Sequence, residues 1–343
     1  MDDKKTRMAQ EIEAVPAVVA GQRAHLELPL QTLLARLRQR PPDLVVTCAR
    51  GSSAHAATFG KHLIERLLGL PVAAAAPNIA SIYGRRLRLE NQLFIAVSQS
   101  GRSDDLIAMT KSAQTSGALT VAIANATSSP LAAVCDIVLP MGAGPELSVA
   151  ATKTFVATVC VLLRLTAAWA SDAGLAAAIE RLPQRLAASA ALDWGEAVRT
   201  LGGASSLTSI GRGPTLAIAR EAALKLKETC YLHAEAFSGA EFLHGPVALT
   251  SAHHPVLMFM PTDAAGPGMR DLARKLRHQG TSVLLAGALS AAPGELPVLA
   301  PDQPETDALC LIQSFYGLTL RLAKDLAIDV DHPRRLTKIT RTR

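Results

Sequence analysis

Aromatic residues are scarce, only 3% of the 343-residue chain, which removes the stacking platforms that single-stranded nucleic-acid binding depends on. A strong charge of one sign is also missing. The formal net charge is +6, and five basic residues (Arg334, Arg335, Lys338, Arg341 and Arg343) sit in the last ten positions with no acid among them. A basic tail is not a basic face, so no nucleic-acid partner is expected. Cysteine is sparse and shows no pairing pattern. Cys48, Cys135, Cys160, Cys230 and Cys310 are odd in number, lack any C-x-x-C spacing and mostly lie in apolar runs. Buried free thiols in a reducing compartment are expected. No apolar run reaches the roughly 18 residues of a membrane span; the best, FVATVCVLL, is cut by Arg164. The opening MDDKKTRMAQEIEA has no apolar core and does not read as a secretory signal. A cytoplasmic protein with no membrane partner is the expectation.

Several catalytic signatures are absent as well. There is no G-x-G-x-x-G fingerprint, since the GRG at 211–213 is followed by Pro214, and no G-x-x-x-x-G-K-[ST] loop. His253 and His254 are adjacent and lack the carboxylate–histidine spacing of a metal site, so no metal is expected. No G-x-S-x-G elbow suggests a hydrolytic serine triad.

What is present is ample core material, with 49% hydrophobic and 19% charged residues, and a length that suggests about two domains. Residues 1–40 read as helical with a break at Pro29. Short apolar runs then alternate with helical patterns: 44–49, 72–76, 93–98, 119–124 and 136–140, closed by an apolar helix from Thr152 to about Ala170. Such alternation predicts a parallel sheet covered on both faces. The plan repeats with runs at 207–211, 256–260, 281–286 and 297–300, and a closing helix near Leu326. A period above a hundred residues means a duplicated domain. The boundaries read as a helical segment 1–29, a first domain 30–172, a helical linker 173–203 broken at Pro183, a second domain 204–328 and a tail 329–343.

Two constellations carry chemistry. Ser98-Gln99-Ser100-Gly101-Arg102-Ser103 joins a strand to a helix starting near Asp104. A helix N-terminus offers free N–H groups and partial positive charge to an anion. Ser103 alone would serve as an N-cap; three serines exceed what capping needs. Ser52 and Ser53 occupy a second such turn. If their strands are neighbours, both turns open at the carboxyl edge. The second constellation, Glu221, Lys225 and Glu228, falls on one helix face, and by itself reads as a solvated ion-pair stripe. The following segment, TCYLHAEAFSGAEFLHGPVAL, sets His233, Glu235, Glu241 and His244 among small and apolar residues. Such a setting makes them candidates for proton transfer rather than open surface, although a histidine such as His244, taken alone, is more often structural than catalytic.

The motifs SQSGRSDDL, GAGPELSVAATKTF, GRGPTLAIAREAALKLKETCYLHAEAFSGAEFLHGPVAL and DVDHPRRLTKIT, in that order, resemble the isomerase half of glutamine–fructose-6-phosphate amidotransferase. The resemblance runs from about residue 40 to the end. It implies two tandem sugar isomerase (SIS) domains, each a parallel sheet flanked by helices in a three-layer α/β/α arrangement. The chain starts MDDKKT, so the glutaminase domain of that family is not expected here. ARGSSAH, AAPNIASIYG and SQSGRS look closer to SIS-type glucosamine 6-phosphate deaminases. The resemblance implies that Ser98, Gln99, Ser100 and Ser103 hold a sugar phosphate, with Ser53 near the sugar and Ser52 in support. It implies that Glu228 moves a proton between C1 and C2, that Lys225 supports the oxyanion and that Glu221 positions Lys225. His244 would assist ring opening from the neighbouring subunit, and Lys338 would belong to a tail folded over the site. Arg102 stands where the synthase turn has an acid. The expected activity is deamination of glucosamine 6-phosphate to fructose 6-phosphate and ammonia, without cofactor, in a homodimer with a composite site. Ketose–aldose isomerisation of a hexose 6-phosphate, ammonia-dependent amination and a non-catalytic phosphosugar sensor are the alternatives.

Overall fold

The computed structural model describes residues 5–289 and 292–338, which divide into two compact units. One contains the first sheet and comprises Ala17–Glu146 and Lys153–Glu180 with Thr337 and Lys338. The other contains the second sheet and comprises the residues before Ala17, Leu147–Thr152 and Arg181–Leu336.

In chain order the elements begin with helix α1 (Arg7–Gln39) and continue as β1 (Val45–Ala49), α2 (Gly51–Leu68), β2 (Val72–Ala74), α3 (Asn78–Ser81) and β3 (Leu93–Ser98). Then come α4 (Asp104–Thr115), β4 (Leu119–Ala124), β5 (Ile137–Pro140), α5 (Lys153–Ala170) and α6 (Ala173–Ala190). Helix α1 runs through Pro29 and α6 through Pro183, where the sequence predicts breaks. Packing overrides local propensity there. Val15, Val19, Leu26 and Leu33 of α1 are buried, as are Leu182 and Leu186 of α6.

The first sheet is wholly parallel, ordered β2-β1-β3-β4-β5. Every residue of β3 is buried, as a strand covered on both faces requires. Alternate residues Val46, Cys48, Phe94, Ala96 and Ala122 pack with Leu106, Met109 and Ala113 of α4; α2 and α5 pack on each other. Helix α5 is long and apolar enough to cross a membrane by composition, but 78% of it is buried inside the protein, so it serves as a core helix.

The second sheet is built from β6 (Ser206–Gly211), β7 (His233–Ser238), β8 (Val256–Phe259), β9 (Val283–Ala288) and β10 (Glu295–Pro297). Its helices are α7 (Gly195–Gly202), α8 (Thr215–Cys230), α9 (Gly239–Phe242), α10 (Gly266–His278) and α11 (Pro304–Asp325). Its order, β10-β9-β8-β6-β7, is again wholly parallel. Read from the other edge, it repeats the order of the first sheet strand for strand. β7 falls in a segment given no element from sequence, and the last strand ends at Pro297 rather than covering 297–300. Ile210, Met258, Met260 and Leu285 pack on Met269, Leu272 and Leu276 of α10.

Candidate active site

Strands β1 and β3 are parallel neighbours in register, with Ala49 opposite Val97. The turns that follow them therefore leave the same edge side by side. In this strand order the chain reverses direction across the sheet between β1 and β3, which is where ligands bind in open α/β sheets. After β3, Ser98 is buried and its Oγ accepts the Gly101 N–H at 3.1 Å. Gly101 has φ +61°, and a Cβ there would lie 2.0 Å from Ser129 Oγ, so only glycine fits. Gln99, Ser100 and Ser103 are half-buried and Arg102 is exposed. Ser100 Oγ accepts the Arg102 N–H at 3.4 Å. Ser103 occupies the N-cap of α4, yet its side chain makes no capping hydrogen bond. After β1, Gly51 (φ +52°) opens α2, and Ser52 and Ser53 are half-buried in its first turn.

Lys338 lies in the same unit, and its Nζ is 3.1 Å from Glu146 Oε2. The Glu146 side chain is fully buried. It accepts hydrogen bonds from Thr154 N at 3.0 Å and Thr154 Oγ1 at 2.6 Å. Sequence reasoning gave Glu146 no role. A single acid among the small residues ahead of an apolar helix is the signal that would have found it.

In the second unit, Glu221, Lys225 and Glu228 share one face of α8. The face is buried, contrary to the solvated stripe that the spacing alone suggests. The side chains of Glu221 and Lys225 are fully buried and that of Glu228 is 22% exposed. Lys225 Nζ lies 3.4 Å from Glu221 Oε1 and hydrogen-bonds Glu228 Oε2. A buried amine needs such anionic partners, since an unpaired buried charge is strongly destabilising. Glu228 faces an open cleft with Leu224, Lys227, Tyr231, Arg334, Arg335 and Leu336. Arg334 stacks 3.9 Å above the Tyr231 ring, and its N–H donates to Tyr231 Oη at 3.0 Å. These two contacts fix the start of the tail beside Glu228.

His233, Glu235, Glu241 and His244 are exposed, not enclosed as the apolar composition of their segment suggests. His233 and Glu235 lie on β7, an edge strand whose outer side carries no neighbour among the described residues, and Glu241 and His244 come after that strand, on and beyond α9. His244 follows α9 and does not line the Glu228 cleft. The turn after β6, Gly211-Arg212-Gly213-Pro214, closes on itself. Thr215 Oγ1 accepts the Arg212 N–H at 3.0 Å and donates to Phe259 O at 2.8 Å. Among the described residues no group of His, Cys, Asp and Glu could hold a metal. All five cysteines are free thiols. Burial pushes Cys48, Cys135 and Cys310 up to about 12 and Cys230 up to about 11, so none is a ready nucleophile.

A sequence model of the SIS domain matches residues 41–168 and 201–286, one stretch for each sheet. Glutamine–fructose-6-phosphate aminotransferase (isomerizing) from Caulobacter vibrioides is 33% identical over 318 residues, covering 86% of this chain and 52% of that protein. The chain thus spans about half the length of the curated relatives it matches. A candidate phosphosugar isomerase from Silicibacter pomeroyi, known from its crystal structure, is 45% identical with a TM-score of 0.91, over 95% of this chain and 100% of the other. The C-terminal domain of glucosamine-fructose-6-phosphate aminotransferase from Francisella tularensis superposes with a TM-score of 0.83 at 23% identity, over 97% and 99% of the two chains, a likeness of fold. Two duplicated parallel sheets, each met by the same domain model over a match of more than half the chain, carry the conclusion that this protein belongs to the SIS domain family as two tandem SIS domains.

Proposed function

We propose that the chain is a phosphosugar-converting enzyme that deaminates glucosamine 6-phosphate to fructose 6-phosphate and ammonia. The observation that carries this reading is the α8 cluster. A buried Lys225 is held between Glu221 and Glu228, and of these three Glu228 lines an open cleft. That is how a general base is oriented while remaining accessible to substrate.

In this reading the phosphate sits at Ser98, Gln99, Ser100 and Ser103, with Ser53 near the sugar. The uncommitted Ser103 hydroxyl and the α4 N-terminus support it. Glu228 removes the C2 proton of the open-chain aldehyde, leaving an enolamine. It returns the proton to C1, which makes a C2 imine. Water adds at C2, and ammonia leaves as the ketone forms. Lys225 stabilises the oxyanion and Glu221 holds Lys225. Lys338, steered by Glu146, belongs to the tail that covers the sugar. His244 opens the ring from a second copy of the chain. Support for a homodimer comes from the edge of β7, which is unpaired among the described residues, and from Leu243, next to His244 in sequence, and Leu249, which are 52% and 56% exposed.

The name of the Caulobacter relative includes isomerisation, so simple ketose–aldose isomerisation is the competing activity. An ammonia-release assay over a panel of amino-sugar 6-phosphates, run beside a ketose–aldose interconversion assay, separates the two. Ammonia release from glucosamine 6-phosphate supports deamination. Interconversion without any ammonia from the panel contradicts it.

A further inference from the structure

Asp105 is a paradox for an anion site. It lies in the first turn of α4, directly after the serine turn, and its side chain is only 2% exposed. Its Oδ1 accepts the Leu106 N–H at 2.8 Å. Its Oδ2 accepts from Arg50 Nε at 3.1 Å and from a second guanidinium nitrogen, Nη2, at 2.7 Å. Arg50 comes from the other turn. It is the N-cap of α2, immediately before Gly51-Ser52-Ser53, and 52% of its side chain is exposed. The pair therefore links the two turns that leave β1 and β3 together. Of the other charges nearby in sequence, Arg102 and Asp104 are both exposed and largely screened by solvent. The buried Asp105 charge is not, and it would repel a phosphate dianion.

We infer that Arg50 is a specificity-determining residue of this anion site. As the counter-charge to Asp105, it converts a carboxylate-bearing turn into one that accepts a phosphate. The inference rests on the phosphate assignment made above. It goes beyond that assignment by naming the residue that sets the sign of the local field. Asp105 is the positioning residue, because it fixes the guanidinium across the two turns.

The test is a charge cycle, read as dissociation constants for inorganic phosphate and glucosamine 6-phosphate by calorimetry at low salt, with melting temperatures alongside. Arg50→Lys keeps the charge and is expected to bind within about threefold of the parent. Arg50→Gln leaves Asp105 uncompensated and is expected to bind roughly tenfold more weakly. Adding Asp105→Asn to Arg50→Gln restores neutrality and should bring affinity back to within about threefold of the parent. A double variant as weak as Arg50→Gln, or Lys and Gln variants equally weak, would mean a mechanical tether and overturn the proposal. Should Arg50→Gln not fold, Asp105→Asn against the double variant makes the same comparison. The single variant is expected to bind roughly tenfold tighter, and equal affinity overturns the proposal. Ser100→Ala and Ser103→Ala variants that bind phosphate unchanged overturn the phosphate assignment and this proposal with it. Serine variants that weaken binding beside an unaffected Arg50→Gln overturn this proposal alone.

Discussion

Ser103 separates two readings of the same residue. A capping serine stabilises its helix, and replacing it by alanine typically costs about 0.5–2 kcal/mol of stability. Ser103 sits at the N-cap without making that bond. Ser103→Ala is therefore expected to leave the melting temperature unchanged while weakening sugar-phosphate binding by about 1–3 kcal/mol, the cost of a hydrogen bond to a charged group. Calorimetry and thermal melts on one variant check both halves; a lower melting temperature with intact binding would return Ser103 to the role of cap. The serine turn was legible because hydroxyls, glycine and helix start are all local features. Arg50–Asp105 was not, because it joins residues 55 positions apart in sequence. Glu146 was missed for a similar reason, since a buried acid is recognised by the groups that reach it, here Thr154 and Lys338.

At the scale of elements, strand and helix alternation was readable because buried parallel strands are short apolar runs. What misled were residues whose role depends on the neighbouring element. Pro29 and Pro183 read as breaks but lie inside helices that packing holds together. By their spacing alone the α8 acids and lysine read as solvated, but Glu221 and Lys225 are covered, and His233 and Glu235 read as enclosed but lie on an edge strand. His254 illustrates the same dependence. Its ring lies between Ser206 Oγ at 3.1 Å and Thr208 Oγ1 at 3.0 Å, next to the edge strand. Burial, reinforced by the positive charge of His233, holds its pKa below the ordinary 6.5. Below pH 6.5 the unfolded chain takes up a proton that the folded chain resists, so stability must fall as pH drops from 6.5 toward the lower folded value. His254→Gln is expected to be less stable than the parent at pH 7.5 but to lose less stability between pH 7.5 and 5.5. Parallel denaturation curves at the two pH values check this, and an unchanged pH slope in the variant would contradict it.

For the whole molecule, the repeated strand order shows one scaffold used twice. The first copy has serine-rich turns open at the edge of its sheet, whereas in the second the turn after β6 is closed by Thr215 and α8 carries the buried acid–base cluster. The dimer reading makes a quantitative prediction. Inactive Glu228→Gln and inactive His244→Ala, mixed after dissociation and reassembly, should regain roughly a quarter of parent activity. In a randomly paired symmetric dimer, one site of each mixed dimer escapes both lesions. No recovery despite verified subunit exchange would place both residues in one chain.

The central claim is that Glu228 moves the C2 proton, and solvent exchange at C2 measures it directly. Glucosamine 6-phosphate is incubated in deuterated water with the parent and with Glu228→Gln, and the C2–H signal is followed by NMR. The glutamine keeps the shape and the hydrogen-bonding reach toward Lys225 but cannot accept the proton. In the parent the C2–H signal is expected to disappear as the proton leaves C2, by exchange in the remaining substrate and by conversion to the ketone. The variant is expected to bind the sugar phosphate within about threefold of the parent while both processes fall by at least the roughly 10²-fold typical of losing a general base. Exchange at the parent rate in Glu228→Gln would contradict the account.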